Sequence, residues 1–188
     1  MNNIKDKRLT MNSSSGITLV ALAITIIVMM IIATISIYEG TKVIKEAKVQ
    51  TLETNMLAIK AKAKTYVEEV EAATWALTEG KEQIRKDFFT GEIDANGYGM
   101  EDVTIEEGIK QQLSDELKTD TVESYSITEH TLRKMGLDEV VEDLKDAQYI
   151  MIYDKNNLNS MDIIYTAGIE YEGTKYYTLS ALQAAHDD

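Results

Sequence analysis

Residues 17–37, ITLVALAITIIVMMIIATISI, contain no charged side chain. Their only polar groups are the hydroxyls of Thr18, Thr25, Thr34 and Ser36. Hydroxyls of this kind can bond back to carbonyls of their own helix, which makes them tolerable in lipid. At about 1.5 Å per residue, such a helix is roughly 31 Å long, the thickness of a bilayer core. Lys5, Lys7 and Arg8 precede the run. The positive-inside tendency then predicts a single-pass membrane protein with a cytoplasmic N-terminus and an extracytoplasmic remainder.

Three readings of this N-terminus compete. A removable signal peptide has an apolar core of about 7 to 15 residues and a small-x-small cleavage site. This core is longer, and Ala33-Thr34-Ile35 supplies no such site. A plain signal anchor fits both length and charge. The third reading takes in what lies just before the run: the basic residues, Ser13-Ser14-Ser15, then Gly16.

That order resembles the class III leader of type IV prepilins. The matching residues are Lys5, Lys7 and Arg8, then Gly16-Ile17-Thr18-Leu19, then the apolar run. The wording is most similar to prepilins of clostridia-like Gram-positive bacteria. The resemblance implies cleavage by a prepilin peptidase between Gly16 and Ile17, and N-methylation of the new terminus at Ile17. It implies storage in the membrane and self-assembly with like subunits through residues 17–37, to form a cell-surface filament. Most pilins carry a glutamate as the fifth mature residue, where it pairs with a neighbour's terminal amine; here that place is Ala21. Either the subunit is a minor or tip-like one, or its lineage assembles on apolar packing alone. The related Gram-positive sequences favour the second.

Beyond the run, Val49, Leu52, Met56, Ile59, Ala63, Tyr66, Val70, Ala73 and Leu77 alternate three and four apart. This is one apolar face of a long helix. A coiled coil is one use of such a face; packing against the chain's own globular part is the reading adopted here. Gly40 is the candidate soft point of this helix, and Gly80 closes or kinks it. The expected organisation is a leader over 1–16, a spine helix over 17–80 with 17–37 transmembrane, and a head over 81–188.

In the head, Asp94-Ala95-Asn96-Gly97-Tyr98-Gly99 is faintly like a calcium loop. Tyr98 and Ile105 occupy places where oxygen ligands belong, so a plain turn is the better reading. Thr104-Ile105-Glu106-Glu107 has capping-box spacing, and Ile105, Ile109, Leu113 and Leu117 predict an amphipathic helix behind it. Thr128 caps another helix, and Gly136 stops it. Residues 149–153, 161–165, 169–171 and 175–178 read as strands, with Glu172-Gly173 as a hairpin turn. Ser126 through Leu132, Met135-Gly136-Leu137, Tyr149 through Tyr153 and Gly173 through Leu179 also look like the head of clostridia-type prepilins. The fold class is therefore α+β and type IV pilin-like: a spine helix packed against a small C-terminal antiparallel sheet with short helices.

Composition narrows the chemistry. The net charge is −13, although the first sixteen residues are net basic. A head this acidic repels phosphate backbones, so no nucleic-acid partner is expected through it. There is no cysteine and no proline. Disulfides and thiolate sites are excluded, and long helices are favoured. Of two histidines, His130 reads as an exposed first-turn residue and His186 as part of a loose tail. No metal site, cofactor or catalytic constellation is expected, since no serine sits in a nucleophile elbow and no glycine run suits a phosphate loop. The function indicated is that of a pilus-like structural subunit. The alternatives are a pseudopilin of a type II secretion or competence system, and a single-pass anchored interaction protein.

Overall fold

The computed structural model describes residues 14–91, 98–142 and 147–187, with side chains described over 21–34, 41–91, 98–141 and 147–186. The chain divides into two compact units, one ending at Lys45 and one beginning at Glu46. The helix α1, Ser14–Thr74, contributes to both.

In the first unit the described side chains over 21–34 are all exposed, and among their large apolar residues Met29 and Met30 are the most exposed. Thr25 Oγ1 donates to the carbonyls of Ala21 at 2.8 Å and Leu22 at 2.9 Å, and Thr34 Oγ1 to Met30 O at 2.7 Å. Both hydroxyls thus bond back to their own helix, as their place in an apolar run requires.

The second unit is α+β, a helix on a five-stranded antiparallel sheet. In chain order α1 is followed by α2 (Lys81–Thr90), β1 (Glu101–Asp102), α3 (Glu107–Lys110), β2 (Val122–Ile127), α4 (Glu129–Lys134) and α5 (Asp138–Glu142). Then come β3 (Tyr149–Asp154), β4 (Asn157–Tyr171), β5 (Thr174–Thr178) and α6 (Leu179–Asp187). The strands lie side by side in sequence order. Alternation along β3 sorts its residues onto two faces. Tyr149, Met151 and Tyr153 join Met56, Ile59, Ala63 and Val67 of α1 in the main core. Ile150 and Ile152 join Ile105, Ile109, Leu113 and Leu117 in a second cluster.

The stripe on α1 therefore packs on the chain's own sheet. Val49, Met56, Ile59, Ala63, Tyr66 and Val70 are buried. Ala73 and Leu77, by contrast, are exposed. The helix ends at Thr74, short of the expected Gly80. Gly80 instead takes a left-handed conformation at φ 69° and starts α2, which carries Phe89 into the core. Tyr66 Oη donates to Phe88 O at 2.7 Å and ties the two helices together. The backbone stays helical through Gly40.

Three further expectations change. The predicted capping box does not form: Glu106 is extended and α3 is a single turn. A 3-10 turn over Asp115–Leu117 follows it. All four apolar residues of that segment are nevertheless buried, because each faces the sheet. Residues 161–165 and 169–171 belong to one strand, interrupted by a bulge between Ile164 and Ile169. The C-terminus is no loose tail but the helix α6, whose Leu179 and Leu182 are buried. The Thr128 cap, the Gly136 stop at φ 72° and the turn at Glu172 and Gly173, with φ 49° and 81°, fall where expected.

Candidate functional site

The residues singled out in the leader are placed unevenly. Lys5, Lys7 and Arg8 lie outside the described residues. Gly16 and Ile17 fall in the helical backbone at the start of α1. Ala21 is exposed, and its carbonyl accepts the Thr25 hydroxyl. Among the described residues, no helix is long and apolar enough to cross a membrane. The side chains described within the run are those of 21–34.

In the second unit the most concentrated polar chemistry is a charge cluster between α1, α2 and the sheet. Arg85 on α2 is 3% exposed. Its guanidinium pairs with Glu123 of β2 and, at 3.2 Å, with Glu71 of α1. Lys81 adds a 3.0 Å pair to Glu71. The Glu123 carboxylate also accepts the phenols of Tyr153 at 3.0 Å and Tyr125 at 3.2 Å. Burial, and then the charge of Glu123, push both phenols well above the ordinary tyrosine range. They therefore stay protonated and donate. Two carboxylates face two cations, so the cluster is close to neutral. Arg85 Nε is buried with no partner among the described residues. Every other strong group is engaged, which makes the cluster a tie between elements and leaves no free nucleophile or base.

Asp162 forms a second buried polar site. It is 1% exposed, and its carboxylate accepts the Ser180 hydroxyl at 2.5 Å, the Ser180 N–H and the Ile163 N–H. It thereby pins the first turn of α6 to β4. Burial raises its carboxyl above the ordinary range, against the lowering effect of those donors. At the other end of α6, Glu53 of α1 meets His186 Nδ1 and Gln183 Nε2, each at 3.3 Å. His130 is exposed in the first turn of α4, as expected.

A cavity of about 750 Å³ opens beside the second cluster. Ile105, Leu113, Leu117, Val122 and Ile152 line its apolar part. The lysines around it are engaged locally: Lys86 with Asp102 at 3.0 Å, Lys110 with Glu107 at 3.3 Å and Lys118 with Asp115 at 3.1 Å. Among the described residues no group of three or more His, Asp or Glu is disposed to hold a metal. Of the calcium-like loop, residues 94–97 lie outside the described residues. Tyr98 packs against Tyr66, with ring centres 4.1 Å apart and planes tilted by 44°.

Neither the Arg85 cluster nor Asp162 was visible as a site in the sequence. A lone carboxylate inside a strand-like run, as in Tyr149 to Tyr165 around Asp162, is the one signal that could have pointed to it. Compared with known proteins, the chain matches no family model, no curated relative and no solved structure.

Proposed function

We propose that this chain is a structural subunit of a type IV pilus-like filament, held in the membrane and released for assembly by cleavage between Gly16 and Ile17. The observation that carries the reading is the order of the first 37 residues: basic leader, Gly16, uncharged run. The long helix, whose outer part is buried on an antiparallel sheet, is the arrangement such a subunit requires. In this reading residues 17–37 span the bilayer before assembly and pack against the same residues of neighbours afterwards. Apolar contact supplies the cohesion, since Ala21 brings no charge to pair with a neighbouring amine.

The test is co-expression with a prepilin peptidase, followed by N-terminal sequencing and mass spectrometry. The expected product begins at Ile17 and carries an N-methyl group. Full-length protein only, indifferent to Gly16→Ala, would overturn the proposal in favour of a plain membrane anchor. Electron microscopy then separates long surface fibres from the short assemblies of a secretion or competence pseudopilus.

A further inference from the structure

β5 closes one edge of the sheet and pairs with β4 alone. Its sequence, Thr174-Lys175-Tyr176-Tyr177-Thr178, is rich in strand-forming residues. An edge of that kind is a template for a further strand. On the open side of β5 stands Gln112. Its Nε2 donates to Lys175 O at 2.8 Å, and its Oε1 accepts the Tyr177 N–H at 2.9 Å. A carbonyl and an N–H two residues apart are the pair that one residue of a parallel neighbour engages. One side-chain amide thus reproduces one step of strand pairing.

Gln112 is held in place for this. Ile109 and Leu113 on either side of it are buried in the second cluster. Its own N–H bonds Ile109 O at 3.0 Å, and Thr178 Oγ1 donates to its carbonyl at 3.3 Å. We infer that Gln112 guards the β5 edge against strand addition by a second copy of this chain. Every copy carries the same edge, and β5 laid antiparallel on β5 is a two-fold, self-complementary pairing. The opposite edge needs no such guard, because β1 is two residues long and both are acidic. The inference does not depend on the filament reading; in any assembly that crowds these units together, the guard keeps sheets from merging.

The absence of cysteine makes a direct test possible. Thr174→Cys and, separately, Tyr176→Cys place a single reporter thiol on β5 of the full chain in detergent micelles. Under mild oxidation, disulfide dimer is compared with Gln112 intact and with Gln112→Ala. Roughly tenfold more dimer is expected without the amide, the scale set by the net value of a hydrogen bond or two. The Tyr177 amide should also exchange with solvent faster in the dilute variant. Gln112→Glu preserves size and the acceptor while losing the donor to Lys175, so it tests the same edge with little risk to folding and should give an intermediate yield. Equal cross-linking with and without Gln112 at both reporters, or unchanged exchange at Tyr177, would overturn the inference.

Discussion

Arg85 sits between two carboxylates; its loss would leave Glu71 with Lys81 but strand Glu123. Breaking a buried ion pair from one side typically costs about 3–5 kcal/mol, because an uncompensated charge remains. Arg85→Met is therefore expected to lower the urea midpoint strongly. Adding Glu123→Gln should recover part of that loss, since the glutamine leaves no orphan charge behind. Strictly additive losses in the double variant would show that the two groups are not coupled. Asp162 makes the opposite kind of prediction. Burial raises its folded pKa above the unfolded value of about 4. Its favourable contribution is thus complete below that value and declines as pH rises through the raised one. Asp162→Asn keeps an acceptor for Ser180 and Ile163 and cannot ionise. Relative to wild type it should gain stability with rising pH across that window; parallel stability curves would refute this. Gly168 is constrained twice over. Its φ of 64° favours glycine, and an added Cβ would lie 2.8 Å from both Lys175 Cε and Tyr177 Cε1. Gly168→Ala should cost about 1–3 kcal/mol from backbone strain and overpacking, measurable as a lower melting temperature.

Elements were legible where local chemistry and tertiary demand agreed. β3 and the β4–β5 turn are written in runs of Tyr and Ile and in Glu172-Gly173, and the structure uses them as such. The α1 stripe is legible because its residues from Met56 to Val70 share one core with the sheet, although Ala73 and Leu77 at its end lie exposed. β2 was missed. Its inward Glu123 is a carboxylate, acceptable there only because Arg85 arrives from a different element. β1 is too short and too acidic to register as a strand at all. α6 could have been found from Leu179 and Leu182, three apart, but nothing local says that Asp162 waits to receive its first turn. The segment from Ile105 to Leu117 shows periodicity outliving the helix it suggests: the apolar residues keep their face while the backbone breaks into separate turns. The α4 cap is local and was read correctly. Thr128 Oγ1 accepts the Thr131 N–H at 3.2 Å. Thr128→Ala should cost about 1 kcal/mol, while Thr128→Ser should be nearly silent in the same melt.

For the whole molecule, charge is the dominant condition. A net −13 at a pI near 4.6 means self-repulsion at neutral pH. The exposed ion pairs, such as Arg133 with Glu129 and Lys64 with Glu68, are of the kind that contributes little. Raising ionic strength from about 0.01 to 0.15 M shortens the screening length from about 30 to 8 Å. The melting temperature should rise over that range; a fall would mean that the surface pairs outweigh the repulsion.

The sheet's strand order has a further meaning for how such a chain comes into being. Because β1 to β5 lie side by side in the order of the sequence, each strand on emerging finds its predecessor already delivered. No strand has to wait for a partner later in the chain, and the last two connections, from β3 to β4 and from β4 to β5, are tight turns, which favours folding with little exposed edge. The buried face of α1 precedes them all and offers a surface on which the sheet can be laid down. α6 follows β5 and seals the unit last, when Ser180 reaches Asp162 and His186 reaches Glu53. A chain delivered from its N-terminus, at a ribosome or across a bilayer, could thus acquire this architecture strand by strand.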